Sequence, residues 1–445
     1  MARLADGRGT VRKPNTYQQS DDDPRRASVQ GWKRMTEKRV LIIGAGAAGL
    51  SAATELATAG IRVDVIDKAP FAGGHAVQFA CKATEACVKC GACVIEEKLK
   101  TAVSSERVRL YAGCQVMSIA RNNGIRVETR QAPLYIDPEK CTGCGDCLAK
   151  CPVEGAVLQG TSSHHIPLFA ISEEKCLNST GKSCRLCSEA CAHGAINLEA
   201  EPKERTIRPQ AVILATGFRA YDPADKPYGY GILENVVTNL DLEKILRREG
   251  SPLRPTDGRL PGSMAFIQCV GSRDIKRNHL WCSTVCCGSS LRMARKIKHA
   301  HKEIDITIFY IDIQNFGKDF ESVYGESRNQ FRFLRSIPGD IYPHDDDTLR
   351  VTSFDEQTGI VADSVFDLVV LSVGIVPRED SAELAREFGL EVRDSGFIGR
   401  DGQTAGSAAA GIFPAGAVTQ PMSIAEAVAD GSGAAFKALT YVAGR

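Results

Sequence analysis

The stretch Arg39–Lys68, RVLIIGAGAAGLSAATELATAGIRVDVIDK, decides the fold. A short apolar run, Val40–Ile43, ends against glycine and reads as a buried parallel strand. Gly44, Gly46 and Gly49 then form G-x-G-x-x-G where that strand should turn into a helix. In such a turn the first glycine permits the tight bend and the second lets backbone approach a pyrophosphate. The third lets the helix lie on the strand. A helix over Ala47–Ala59, with Ala47 and Ala48 in its first turn, aims free amides at the phosphates, where its dipole favours an anion. A second strand, Ile61–Ile66, leads into Asp67, 18 residues after Gly49. That spacing suits a carboxylate accepting from a ribose hydroxyl, with Lys68 beside it. Strand, turn, helix, strand and acid coincide, so a dinucleotide-binding α/β domain is expected. The bland alternative is a glycine-rich turn in some other α/β domain.

The chain has 445 residues, enough for two or three domains with their own cores. Hydrophobic residues make up 43% and charged residues 24%, the balance of a soluble globular protein. A formal net charge of +1 gives no field that would favour nucleic acid or an anionic membrane. No apolar stretch approaches the roughly 20 residues needed to span a bilayer, and no secretory signal is recognisable. A cytoplasmic location is expected. The polar segment Met1–Lys38 reads as a mobile leader, docking on a partner through Trp32.

Seventeen cysteines in that compartment point to metal or redox chemistry, since disulfides are disfavoured there. Cys141, Cys144, Cys147 and Cys151 form C-x2-C-x2-C-x3-C-P. Three thiolates of such a run wrap one iron–sulfur cluster, and the fourth reaches a neighbouring one. Cys176, Cys184, Cys187 and Cys191 repeat the pattern with a longer first gap, and Ala192-His193 follow in place of the proline. By the crossed logic one cluster takes Cys141, Cys144, Cys147 and Cys191. The other takes Cys176, Cys184, Cys187 and Cys151. Zinc is disfavoured, because its sites use paired C-x-x-C knuckles. Cys87, Cys90 and Cys93 form a further C-x-x-C-x-x-C, with Cys81 upstream or another group as the fourth ligand. That group reads either as a cubane site or, blandly, as a partly buried cysteine-rich helix start or a redox dithiol. Cys114 stands alone among alternating residues, Arg107–Thr129, that suggest short antiparallel strands.

Ala211–Gly217, AVILATG, should return the chain to the first sheet, bringing Ala215, Thr216 and Gly217 to the dinucleotide. The loop Pro70–Gln78, with Gly74 and His75, lies on the same side. Between Met264 and Gly374 the elements of a second α/β unit recur: strand Ala265–Val270, helix Ser289–His299, and strands Asp305–Ile311 and Asp367–Ser372. No second glycine fingerprint follows the first of these strands. Cys269, Cys282, Cys286 and Cys287 stand there instead, as C-x12-C-x3-C-C, and read as a third cluster site or, blandly, a reactive or structural cysteine patch. Near the C-terminus, Gly416 and Ala417 precede a helix starting at Ser423 and Ile424. Such a helix end can face a flavin ring and stabilise charge on its pyrimidine edge.

AFIQCVGSRD followed by WCSTVCCG, FYIDIQNFGK at Phe309–Lys318, FDLVVLSVGIVP at Phe366–Pro377 and CLNSTGKSCRLCSEAC together resemble the A subunit of heterodisulfide reductase and its relatives in the Hdr-like complex of sulfur oxidisers. The resemblance implies an α/β protein: a thioredoxin-reductase-like FAD-binding Rossmann-type domain and a second Rossmann-like domain, with an inserted two-cluster ferredoxin-like (α+β) domain. It implies FAD, two 4Fe–4S clusters in the insert and an unusual cubane on the C-x12-C-x3-C-C cysteines. It also implies a homodimer docked to HdrB-like and HdrC-like subunits, with a lipoate-bearing or other sulfur-carrier protein reached through the complex. The chain is expected to resemble the shorter sulfur-oxidiser form, without the added terminal cluster domains of long methanogen forms. His75 stands where that family suggests a basic arginine, and Ala417 where most such flavoproteins keep an acid.

The resulting division is a leader (1–38), a flavin domain in three parts (39–134, 206–261 with a linker, 377–445), the ferredoxin-like insert (135–205) and the second Rossmann-like domain (262–376). The expected function is FAD- and 4Fe–4S-dependent electron transfer to or from sulfur chemistry. With no Ser-His-Asp set and no paired acid and base, no catalytic side chain is expected. A self-sufficient NAD(P)H:disulfide oxidoreductase would need the missing nicotinamide fingerprint. A scaffold that binds flavin without turnover would have no use for the thiols.

Overall fold

A computed structural model describes residues 38–444, apart from 122–123, 162–166, 315–319, 356–358 and 401–409. The expected leader and its Trp32 lie outside the described residues.

The described residues open with β1 (Arg39–Ile43), which turns into α1 (Ala47–Thr58) and continues through β2 (Arg62–Asp67), α2 (Ala92–Ser104) and β3 (Val108–Ala112). Val40, Leu41 and Ile42 of β1 are wholly buried, as a strand with both faces covered must be. Each such side chain contributes roughly 1.5–3 kcal/mol by leaving water. β3 pairs parallel with β2 in this sheet, which corrects the expectation of antiparallel strands from Arg107 onward. Alternation marks a half-covered strand, and an edge strand of a parallel sheet is half-covered too. The antiparallel pairs begin only with β4 (Cys114–Ala120) and β5 (Arg126–Gln131).

The insert follows: α3 (Asp146–Lys150), β6 (Val157–Thr161), β7 (Pro167–Ile171) and α4 (Leu186–Glu189). Its two halves close on each other at a bridge between Ile136 and Ile196. The chain leaves it through β8 (Lys203–Ile207), which pairs antiparallel with β5. Residues 203–205 thus belong to that three-stranded sheet and not to the insert. β9 (Ala211–Leu214) then pairs parallel with β1, and β10 (Arg219–Ala220) crosses towards the second unit.

That unit comprises β11 (Val236–Thr238), α5 (Asn239–Glu249), β12 (Ser263–Val270), α6 (Cys286–Ala300), β13 (Asp305–Phe309), α7 (Phe320–Gln330) and β14 (Arg332–Leu334). A three-stranded antiparallel sheet, β15 (Asp340–Pro343), β16 (Leu349–Asp355) and β17 (Ile360–Phe366), leads into β18 (Leu368–Val373). The parallel sheet runs β11-β18-β12-β13-β14. α5 opens on a reciprocal cap between Thr238 and Asp241 and stops at Gly250 in a left-handed conformation. After β19 (Ile375–Val376) and α8 (Glu379–Glu387), β20 (Ile412–Pro414) returns to the first sheet, whose order is β20-β9-β1-β2-β3.

The last helix, α9 (Ile424–Ala443), begins with a capping box between Ser423 and Glu426. Its run of small residues is explained by what it touches. A β-carbon on Gly431 would fall 2.1 Å from the carbonyl oxygen of Ala48, so only glycine allows α9 this close to α1. Ser51 and Ser432 share a hydrogen bond of 3.0 Å across the contact. No helix among the described residues is long and apolar enough to cross a membrane.

Candidate flavin and cluster sites

The glycine turn is built by mutual close approach. A β-carbon on Gly49 would sit 1.9 Å from the Gly44 carbonyl oxygen, and one on Gly44 would sit 2.2 Å from that of Ala215. On Gly46 it would meet nothing within 4 Å. The open side of the turn is therefore at Gly46, beside the first turn of α1 with Ala47 and Ala48. An open helix start of this kind is where backbone amides can accept an anion. Asp67 closes the turn from behind. One carboxylate oxygen accepts from the Ala45 amide at 2.7 Å and the other from Ala69 at 2.8 Å. Burial pushes this carboxyl up, while the two amides pull it down. Each oxygen retains a lone pair for a ribose hydroxyl. Lys68 points away, towards Asp380 at 3.4 Å.

The loop after Asp67 folds over the turn, with Gly74 approaching Gly46. His75 stacks on Phe218, ring centroids 4.7 Å apart, immediately after Ala215, Thr216 and Gly217. Burial holds its imidazole below the ordinary value, and the charges of Arg378 and Lys244 add to the effect. Thr216 accepts from the Ser381 hydroxyl at 2.7 Å. Gly416 and Ala417 pack against α1, where Gly416 faces Ala48. Asp430, on α9, accepts from the Gly416 amide at 2.6 Å and also binds Arg400. Beyond the cap residue Glu426, Asp430 is the one other acid in this helix, and that was the only hint of it in the sequence.

The thiols fall into four sets. Cys141, Cys144, Cys147 and Cys191 line one small cavity, closed by Ile136, Phe169 and Ile196. Cys151, Cys176, Cys184 and Cys187 line another, closed by Val157, Ile171 and Leu186. The two cavities divide the eight cysteines in the crossed manner that the spacing suggested. Burial pushes the Cys147 thiol up to about 11, with its neighbours Cys141, Cys144 and Cys187 adding to the shift. Cys187 is raised in the same way.

The third set surrounds the N-terminus of α6, whose first two residues are Cys286 and Cys287. Cys286 is buried, and burial followed by the nearby Cys269, Cys287 and Cys282 raises its thiol well above the ordinary value. Cys269 is pushed up to about 12 by burial first. Its backbone adopts φ +60°, a left-handed conformation that turns the end of β12 towards the helix. Arg273 and Asp312 pair beside this set at 2.5 Å. The fourth set is Cys81, Cys87, Cys90 and Cys93. Partial burial raises Cys93, and then so do Cys81, Cys90, Glu96 and Cys87. Gly91, between two of these cysteines, packs on Ile424 at the start of α9. Cys114 is buried in the core and belongs to no set.

Among the described residues no three Cys, His, Asp or Glu side chains close on a single metal ion. In the insert the thiols instead ring a space, which suits a polynuclear cluster held by sulfur from several sides. All the resolved thiol shifts are upward, as burial of a thiol dictates.

Sequence reasoning missed what holds the fourth set in place. Lys82 and Glu243 form a buried ion pair at 2.5 Å, and Glu243 also accepts from the Ala80 amide at 3.0 Å. Arg247 of α5 donates to the carbonyls of Val77 and Phe79. The cysteine loop of the first unit is thereby clamped onto α5 of the second.

Residues 42–95 match the NAD(P)-binding Rossmann-like domain, and residues 134–157 match the 4Fe–4S binding domain. The chain is 34% identical over 433 residues to the A subunit of the H2:CoB-CoM heterodisulfide,ferredoxin reductase from Methanothermobacter marburgensis. That alignment covers 92% of this chain and 65% of the relative. Identity is again 34%, over 424 residues, to the iron-sulfur A subunit of the CoB–CoM heterodisulfide reductase from Methanocaldococcus jannaschii, covering 90% of this chain and 63% of the relative. The chain thus spans a little under two thirds of the length of these relatives. In fold it is similar to the thioredoxin reductase of T. acidophilum, with a TM-score of 0.51 at 16% identity over 91% of this chain and 99% of that one. The Lactococcus lactis thioredoxin reductase gives 0.50 at 16%, over 92% and 100%. The architecture is therefore that of a thioredoxin reductase, with two Rossmann-type units and a 4Fe–4S ferredoxin-like domain.

Proposed function

Because this chain is a homologue of the A subunits of heterodisulfide reductase over nine-tenths of its length, we propose that it is a flavin- and iron–sulfur-dependent oxidoreductase subunit. It would move electrons between FAD and 4Fe–4S clusters in cytoplasmic sulfur or disulfide metabolism. The observation that carries this reading is the gathering of sixteen thiols into four sets of four around a flavin-type fold.

FAD exchanges two electrons and 4Fe–4S clusters one each, so together they supply two-to-one electron conversion. The chain's own groups supply position and potential. Gly44, Gly46 and Gly49 would leave room for the pyrophosphate, the α1 amides would bind it, and Asp67 would accept from the ribose. Gly74, His75, Thr216, Gly416 and Ser423 would border the ring. The two insert cavities, the α6 set and the Cys81–Cys93 set would each hold a cubane. The helix dipole of α6 favours the negative charge of a thiolate-bound group at Cys286 and Cys287.

This last feature also argues against an NAD(P)H enzyme. In the second Rossmann-type unit β12, α6 and β13 form the parallel strand–helix–strand crossover, and the dinucleotide phosphates belong at the start of its helix. Here that place is occupied by cysteine side chains. We assign the remaining expectations to the same reading: B- and C-type partner subunits, a homodimer, and the sulfur-oxidising rather than methanogenic setting with a sulfur-carrier protein.

Anaerobic stopped-flow spectroscopy tests it. A low-potential one-electron donor should bleach the iron–sulfur and flavin bands together, and NADH alone should bleach neither. Direct flavin reduction by NADH would favour the self-sufficient disulfide oxidoreductase. Clusters and flavin that never exchange electrons would favour the scaffold.

A further inference from the structure

We propose that Arg292 raises the reduction potential of the cluster held by Cys81, Cys87, Cys90 and Cys93. The proposal rests on the reading of those four cysteines as cluster ligands.

The placement comes from α6. Its start carries Cys286 and Cys287, and its flank runs along the loop of the fourth set. Lys296 on that flank donates to the Ala83 carbonyl at 3.4 Å. Arg292 lies four residues earlier, hence one turn nearer the helix start and on the same face. Its charge is within reach of Cys90 and Glu243. Its Nε is buried with no hydrogen-bond partner among the described residues. The nearest acid does not neutralise it in full, because Glu243 is already held by Lys82 and by the Ala80 amide. The structure therefore keeps a guanidinium, with its Nε shut off from water, within reach of Cys90 of the fourth thiol set.

A buried cation is costly without a compensating anion. Four thiolates around a cubane supply one, and one-electron reduction makes it more negative. Charge and solvent exposure are among the terms that set the potential of such a cluster. A nearby cation stabilises the reduced form more than the oxidised form, the more so the less water lies between them. Lys296 adds positive charge on the same side, whereas Lys82 is matched by Glu243. Glu96, paired with Arg247 at 3.4 Å, opposes it.

The test is an EPR-monitored redox titration of the anaerobically purified full chain, comparing wild type with Arg292→Met and Arg292→Lys. In Arg292→Met, with iron and FAD content unchanged, one cluster should become at least tenfold harder to reduce, about 59 mV for one electron. The other signals should stay in place, and Arg292→Lys should restore most of the shift. Unmoved potentials in Arg292→Met overturn the proposal. So does Arg292→Lys shifting as far as Arg292→Met, which would mark the residue as packing alone. Should Arg292→Met lose iron, Arg292→Gln against Arg292→Lys provides the same charge comparison. Cys90→Ser tests the underlying reading separately: it should lose about one cubane of iron, and unchanged iron would remove the cluster itself.

Discussion

The ring of Phe71 lies 2.6 Å from where a β-carbon on Gly160 would stand. Phe71 belongs to the loop that folds over the flavin turn, and Gly160 to β6 of the ferredoxin-like insert. The insert therefore rests directly on the flavin side of the molecule, and the absence of a side chain at residue 160 permits that seat.

Gly160→Val should unseat the insert. Overpacking at a tight contact costs about 1–3 kcal/mol, and here that cost falls on one interface. Hydrogen exchange should rise across the insert and along residues 70–78, while the parallel sheet around β1 stays protected. Unchanged exchange in both segments would show that the contact carries no docking energy.

A second tie is the Arg130–Glu173 pair, in which β5 grips the end of the β7 hairpin at 2.5 and 3.0 Å. The hydrogen bond from Arg130 holds the Glu173 carboxyl below its ordinary value of 4.5. A depressed carboxyl contributes stability above its unfolded value and loses it as pH falls through the folded one. Wild type should therefore exceed Glu173→Gln by about 1 kcal/mol or less near neutrality. Thermal melts should show that gap closing as pH drops below about 4.5. A gap that persists at low pH would deny the pair any role.

The crossing of ligands between the two halves of the insert gives a sharper prediction. Cys151 lines the cavity of Cys176, Cys184 and Cys187, and Cys191 lines that of Cys141, Cys144 and Cys147. Cys151→Ser combined with Cys176→Ser should thus impair one cluster, whereas Cys151→Ser combined with Cys141→Ser should impair two. EPR spin counts distinguish the cases, and equal losses would refute the crossing.

Gly46→Val fills the open side of the flavin turn. FAD should be lost from the purified protein, measured by absorbance after denaturation, while iron content stays at the wild-type level. Retained FAD would mean that the pyrophosphate lies elsewhere.

Much of this was readable in the chain because its signals are local. The G-x-G-x-x-G turn, the cap at Ser423 and the thiol spacings each occupy a few consecutive residues, and each has one dominant physical reason. The parts that could not be read depend on distant partners. Nothing near Lys82 announces that Glu243 will bury it. Nothing near Ala417 tells that Asp430 will bring a carboxylate to Gly416. β15–β17 escaped notice because much of that sheet faces water: Phe354, Ile360, Val361 and Val365 are exposed. Its residues lack the one-sided burial that makes alternation legible. α6 starts at Cys286, before the expected Ser289, because its first turn is shaped by thiols rather than by a capping side chain.

The central claim is that the four thiol sets hold iron–sulfur clusters beside a flavin. Iron, acid-labile sulfide and flavin counts on protein purified without oxygen, together with EPR of the reduced form, test it most directly. The account predicts one FAD and about sixteen iron atoms with matching sulfide in each chain, as four cubanes require. A colourless protein, or one that carries zinc and no sulfide, would contradict it.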